Sequence, residues 1–178
     1  GAAYIVRLET ALNRVTGVPM ELRAALGAYD AGAGKYTVYT SAGGGVIRQR
    51  DDIAGALGVA KEAVRIVSGD VGGNFGTRGM IYPEFALVAW AARRVGRPVK
   101  WLCERHEAFL SDYQGRDLAV EAELALDKKG NFLAMRGSNI SNAGAHTTNF
   151  SPLQKGTEIM SSIYRMPAAC FRARAVLS

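Results

Sequence analysis

The chain has 178 residues, 22 of them Lys or Arg and 16 Asp or Glu, for a formal net charge of +6, and 48% of it is hydrophobic. That length and apolar content suit a folded core of domain size and exclude disorder as the main state. The longest apolar run, residues 85–92, is far shorter than the roughly 20 residues a helix needs to cross a bilayer.

Residues 4–9 read as a first strand, followed by a polar turn and Gly17-Val18-Pro19. Residues 23–29 and 36–40 are two short strands around Asp30-Ala-Gly-Ala-Gly34, a hairpin signal with Gly available for positive φ. Asp51 and Asp52 open a helix, since acids in a first turn favour the helix dipole, and Gly58 closes it. Residues 64–67 form a strand that runs into a glycine-rich loop, and Pro83 starts the next helix. Phe85, Val88, Ala89, Ala92 and Val95 make one apolar helical stripe, ended by Gly96 and Pro98. Residues 99–103 are another strand. Leu118, Val120, Ala122, Leu124 and Leu126 alternate with Asp117, Glu121, Glu123 and Asp127, the pattern of a half-exposed strand. The turn at residues 127–131 returns the chain through residues 132–140 as its antiparallel partner. Residues 172–178 read as a strand with no closing turn. With Gly rather than Met in first place, both ends look cut from a longer chain. The class is α+β: a mixed, largely antiparallel sheet with packed helices, residues 1–178 reading as a single partial domain.

Glycine is in excess, at 21 residues against a usual share of roughly 7%. The glycines gather at Gly43, Gly44 and Gly45 and again between Gly69 and Gly79, with no collagen period. Cys103 and Cys170 lie in strand-like runs behind no signal peptide, which reads as reduced thiols in a cytoplasmic protein. A pI of about 9.5 raises nucleic-acid binding. The basic residues are dispersed and alternate with acids, as at Arg7 and Glu9 or Glu104, Arg105 and Glu107, so nucleic acid is unlikely as a partner.

The segment richest in chemistry is Ser68-Gly-Asp-Val-Gly-Gly-Asn-Phe-Gly-Thr-Arg-Gly79. Between a strand and a helix, backbone N–H groups can converge on an anion or a cofactor oxygen, and glycine lets the backbone approach closely. It lacks the Gly-Lys-Ser/Thr of a P-loop, and its glycine spacing differs from the dinucleotide fingerprint. A tight turn without a ligand is the competing reading. Side-chain metal ligation is poorly served: His106 and His146 are far apart in sequence and read as a surface and a loop histidine, and no Cys-x-x-Cys occurs. No Gly-x-Ser-x-Gly nucleophile elbow is present either.

The run Asp70-Val-Gly-Gly-Asn-Phe-Gly-Thr-Arg78 resembles the Gly-Gly-Gly-Phe-Gly-Gly-Lys/Arg loop of the molybdenum hydroxylases, the group of xanthine dehydrogenase, aldehyde oxidase and the aerobic carbon monoxide dehydrogenase large subunit. Three further stretches agree in order: Pro19-Met-Glu-x-Arg23, Arg97-Pro-Val-Lys-Trp101 with Arg105, Glu107 and Gly115-Arg-Asp117, and Tyr164-Arg-x-Pro167. The look is closest to the carbon monoxide dehydrogenase-like branch. The resemblance implies part of the first molybdopterin-binding domain of a large subunit, working with iron–sulfur and FAD subunits on a small-molecule substrate. It implies a molybdenum–molybdopterin cofactor, in the cytosine dinucleotide form of the bacterial relatives. The Phe75 N–H would lie near an oxo ligand of the metal, reached because Gly73 and Gly76 carry no side chain. The cofactor-binding set is then Gly72, Gly73, Asn74, Phe75, Gly76, Arg78 and Gly43. The pterin dithiolene holds the metal, so no protein metal ligand is expected. Arg78 would pair with a cofactor phosphate or with a partner carboxylate, or else lie on the surface at a helix start.

The sequence departs from the pattern at Gly43, where the family usually has a Gln reaching the metal oxo group, at Leu22 and at Asn74. The substrate loop and the general-base Glu would follow Ser178, leaving no catalytic residue within the chain and an isolated chain that is inactive and free of cofactor. The alternative is a non-catalytic α+β module whose loop binds a phosphate or nucleotide, or packs against another domain.

Overall fold

The structure, a computed structural model, describes residues 1–145 and 151–178. It divides into two compact units, residues 1–15 with 115–178 and residues 16–114.

In the first unit, β1 (Tyr4–Leu12), β8 (Leu118–Leu126), β9 (Phe132–Asn142) and β10 (Ala169–Val176) form one sheet in that order. β1 and β9 both run antiparallel to β8; the β8–β9 hairpin is the one expected from the turn at residues 127–131, and the pairing of β1 was not foreseen. Asp127 makes the β8–β9 turn by accepting the N–H groups of Lys129 at 2.7 Å and Asn131 at 2.9 Å, and Gly130 supplies φ +83°. Those donors hold the Asp127 carboxyl below its ordinary range, the Asn131 side-chain amide contributing most. β10 pairs parallel to β9, a direction its sequence does not announce. It follows α4 (Ser151–Glu158). Arg7, Glu123, Arg136 and Cys170 share one row across the sheet. Arg136 and Arg7 both donate to Glu123 and lower its pKa.

In the second unit the sheet order is β5 (Val64–Val67), β4 (Lys35–Thr40), β3 (Ala24–Asp30) and β6 (Val99–Leu102). β3 and β4 form the expected hairpin, with Asp30 accepting the Gly32 and Ala33 N–H groups in its turn. β5 joins β4 in parallel and β6 joins β3 antiparallel. The connections are α1 (Val46–Leu57) and α2 (Pro83–Val95), which bury Ile53, Ala54, Phe85, Val88 and Ala89 against Ala25, Tyr36 and Val38. Burying a side chain such as Phe85 contributes about 2–3 kcal/mol. A Cβ on Gly27 would fall 2.5 Å from the Val88 carbonyl oxygen, so a glycine in β3 is what lets α2 lie this close. The helix expected to open at Asp51 begins five residues earlier, at Val46. Gly45, at φ +97°, reverses the chain there, and no acid lies in the first turn. Its end at Gly58 is as expected, in the left-handed conformation.

β2 (Val15–Thr16) and β7 (Gln114–Gly115) pair with each other. α3 (Arg105–Ser111) starts on a reciprocal Glu104–Glu107 capping box. No helix among the described residues is long and apolar enough to cross a membrane.

Candidate functional site

The glycine-rich segment leaves β5 at Val67 and ends in a single 3-10 turn, Thr77–Gly79, just before α2. Ser68 ties its start to the neighbouring loop by accepting the Ala42 N–H at 3.1 Å. Its middle is held by Glu21, which follows Pro19 and Met20. One Glu21 carboxylate oxygen accepts the Gly72 N–H at 2.6 Å and the other accepts the Ser41 hydroxyl at 2.7 Å. The Glu21 N–H in turn donates to the Gly72 carbonyl at 3.1 Å. A Cβ on Gly72 would fall 2.7 Å from the Glu21 Cβ, so this clamp requires glycine there.

Beyond Gly72 the backbone turns through the left-handed region at Gly73 (φ +117°), Phe75 (φ +47°) and Gly76 (φ +88°). The first and last are glycines, for which this is unstrained. Phe75 is not, and its side chain is 73% exposed. Among the described residues the N–H groups of Gly73, Asn74 and Phe75 have no acceptor. Successive backbone donors without acceptors can converge on an anion or a polarised oxygen. The loop of residues 17–20 adjoins it. A Cβ on Gly17 would fall 2.9 Å from the Phe75 Cβ, and one on Gly73 would fall 3.2 Å from the Pro19 Cβ. Arg105 holds this second loop, donating to the carbonyls of Pro19 at 2.8 Å and Met20 at 2.9 Å.

The structure brings all seven sequence-predicted residues together, in different roles. Gly43 lies at the base of the loop, its carbonyl accepting the Asn74 amide at 2.9 Å. Arg78 is not the surface side chain that one reading expected: it is 1% exposed. Its guanidinium donates to the Glu21 carbonyl and stands 3.9 Å from Asp112, a carboxylate of the chain itself that the sequence did not point to. Asp112 is also 2.7 Å from Arg23, which reaches Glu84 at 3.3 Å and stacks its guanidinium 4.1 Å from the Tyr82 ring centre. The Tyr82 hydroxyl donates to the Thr77 carbonyl at 2.8 Å, joining this charged core to the end of the loop. Burial pushes the Tyr82 hydroxyl up to about 12 and raises the Cys103 thiol as well. The core contains two arginines and two carboxylates, so its charges balance.

Glu21, Arg23 and Asp112 were not among the predicted site residues. Glu21 and Arg23 stand in the Pro-Met-Glu-x-Arg stretch, which signalled their importance without a role. Asp112 has no local signal. His106 is exposed, and His146 lies outside the described residues. Among the described residues no three His, Cys, Asp or Glu side chains are grouped to hold a metal ion. A separate groove of about 660 Å³ in the first unit is lined by Arg7, Glu123, Arg136 and Arg172 among others, and includes no part of the glycine loop.

A sequence model of the molybdopterin cofactor-binding domain matches residues 1–178. The chain is 33% identical over 172 residues to the 6-hydroxypseudooxynicotine dehydrogenase complex subunit gamma of Paenarthrobacter nicotinovorans, covering 94% of this chain and 21% of that protein. It is 32% identical over 160 residues to the carbon monoxide dehydrogenase large chain of Hydrogenophaga pseudoflava, covering 88% of this chain and 20% of that one. Quinoline 2-oxidoreductase from Pseudomonas putida 86 superposes with a TM-score of 0.92 at 29% identity, over 99% of this chain and 23% of that structure. A Cu,Mo-CO dehydrogenase shares the fold at a TM-score of 0.89 and 24% identity, over 100% of this chain and 23% of the other. The chain thus spans about a fifth of the length of the curated relatives it matches. The glycine loop, the α+β fold and the match along the whole sequence lead to one conclusion: this chain belongs to the molybdopterin cofactor-binding domain family of the molybdenum hydroxylase large subunits.

Proposed function

We propose that the chain forms one wall of the molybdopterin site of a molybdenum-dependent oxidoreductase, with the loop from Gly72 to Gly76 as its contact surface. The observation that carries this reading is the row of acceptor-free N–H groups at Gly73, Asn74 and Phe75, on a loop clamped from behind by Glu21 and Arg78. A pterin cofactor with an oxygen-bearing metal and phosphate groups presents the acceptors such a turn lacks, so the residues present fit the group. Gly73 and Gly76 keep the approach clear, the N–H donors of residues 73–75 orient the cofactor, and the exposed Phe75 ring excludes water beside it. The donors are fixed before anything binds, the physics of an oxyanion hole. When bound, the cofactor supplies two-electron oxidation with oxygen drawn from water. Arg78 acts from within, holding the loop rather than touching the ligand.

The same reading gives the cofactor its cytosine dinucleotide form. It places the wall in a larger assembly with iron–sulfur and FAD subunits that oxidises a small molecule in the cytoplasm. The named relatives support the larger assembly, one being a subunit of a dehydrogenase complex and another a dehydrogenase large chain. The test is to purify the protein in its native assembly, measure molybdenum by elemental analysis and identify the released pterin by mass spectrometry. Stoichiometric molybdenum with a cytosine dinucleotide pterin is expected. A bound phosphate or nucleotide with no pterin would instead support the non-catalytic module.

A further inference from the structure

Two glycine clusters far apart in sequence meet beneath the loop. A Cβ on Gly44 would fall 2.4 Å from the Gly79 carbonyl oxygen. One on Gly43 would fall 2.7 Å from the Arg78 Cβ, 2.8 Å from the Asn74 Cγ and 2.9 Å from its Nδ2. The room a side chain at position 43 would need is therefore taken by the Asn74 carboxamide. That carboxamide is engaged at both ends: Nδ2 donates to the Gly43 carbonyl at 2.9 Å, and Oδ1 accepts the Gly76 N–H at 3.2 Å. The Asn74 carbonyl also accepts the Thr77 N–H and the Thr77 hydroxyl, both at 3.0 Å. The bonds from Gly76 and Thr77 to Asn74 close around Phe75, the residue on strained backbone, and the bond to Gly43 anchors that turn to the neighbouring loop.

We propose that Asn74 is the positioning residue of the loop, its carboxamide filling the seat that Gly43 leaves and locking the left-handed turn at Phe75, so that positions 43 and 74 hold one side chain between them. This rests on the reading of the loop as the cofactor contact only for its consequence; the interlock itself is a property of the chain. The Asn74 side chain turns inward, and its backbone N–H has no acceptor among the described residues. A residue larger than glycine at position 43 must expel the carboxamide and with it the cap on Gly76. Serine at position 74 would keep an acceptor two residues before Gly76, as short hydroxyl side chains do in turns, while vacating the seat.

The experiment is amide hydrogen exchange at Gly76 and Thr77 in the native assembly, with molybdenum content measured in parallel. Asn74→Ala and Gly43→Ala should each speed exchange at Gly76 by about tenfold, the scale of one net hydrogen bond. Asn74→Ser should recover most of that protection. Adding Gly43→Ala to Asn74→Ser should then have a smaller effect than it has alone, because only the Arg78 contact remains; this non-additivity is the signature of a shared seat. Gly76 exchange unchanged in Asn74→Ala, or strictly additive effects in the double variant, would overturn the interlock whatever the metal content. Absence of molybdenum from the wild type would refute the cofactor reading and leave the exchange result to decide the interlock alone. Circular dichroism of each variant separates loop loosening from global unfolding.

Discussion

Glu21 and Gly72 hold each other from both ends: the Gly72 N–H donates to the Glu21 carboxylate at 2.6 Å, and the Glu21 N–H donates to the Gly72 carbonyl at 3.1 Å. This pair joins the strand-leading segment before β3 to the glycine loop, and the second carboxylate oxygen ties in Ser41. Hydrogen bonds to a charged acceptor contribute about 1.5–3 kcal/mol each. With the Gly72 bond exposed and the Ser41 bond only partly buried, Glu21→Ala should lower stability by about 2–4 kcal/mol, below the sum of two such bonds, and Glu21→Gln by roughly half of that. Urea unfolding checks it. Equal stability of Glu21→Ala and the wild type would show that the clamp contributes nothing.

Asp112 lies between Arg23 and Arg78, both of whose side chains are almost wholly buried. Its removal would leave Arg78 with the Glu21 carbonyl but no carboxylate, and Arg23 with only the partly exposed Glu84. Asp112→Ala should lower stability by about 3–5 kcal/mol, the range for breaking a buried ion pair from one side. It should also release the loop, because Arg78 loses one of its two anchors. The denaturant midpoint should fall at unchanged slope; a change below about 1 kcal/mol would contradict the assigned role.

At Gly73, φ is +117° and a Cβ would fall 3.0 Å from the Phe75 ring. Gly73→Val adds a β-branched side chain where backbone strain is of order 1–3 kcal/mol and the ring must move. Molybdenum content of the native assembly should fall several-fold while the protein stays folded. Unchanged content would count against the loop as the cofactor contact.

The Tyr82 hydroxyl is raised from 10.0 to about 12, chiefly by burial, and Tyr113 is raised in the same direction for the same reason. Below pH 10 the phenol is neutral in the folded and unfolded chain alike, and its contribution is fully present. Between pH 10 and about 12 the unfolded chain ionises first, so stability falls as pH rises, by on the order of 2 kcal/mol for Tyr82. Tyr82→Phe cannot ionise and should show a shallower alkaline limb. It should start from lower stability at pH 8, having lost the bonds to Thr77 and Tyr113. Urea midpoints from pH 8 to 12 test this, and identical alkaline slopes would assign the limb to other groups.

Local pattern was enough for most elements. Alternation at Leu118, Val120, Ala122, Leu124 and Leu126 determined β8, because a strand presents every second residue to one face. The stripe from Phe85 to Val95, with Pro83 before it and Gly96 after it, determined α2 to the residue. The start of α1 escaped because Gly45 rather than an acidic cap begins it, and a backbone reversal at φ +97° leaves no side-chain signature. The parallel pairing of β10 escaped too, since nothing in a strand's own residues says which way its neighbour runs.

The glycine loop was legible by itself, as a cluster of residues without side chains after a strand, and its surrounding motifs were legible by resemblance. What glycine accomplishes at each place was decided only by tertiary structure. Gly72 admits Glu21 from 51 residues away, Gly43 admits Asn74 from 31 residues away, and Gly73 and Gly76 supply positive φ. Arg78 illustrates the limit most sharply. By sequence it stands at a helix start, where arginine is ordinarily solvated; in the fold it points inward to Asp112 and the Glu21 carbonyl. A charge can be buried only where a distant partner compensates its lost hydration, and that partner is chosen by how the chain folds back on itself, not by its neighbours in sequence.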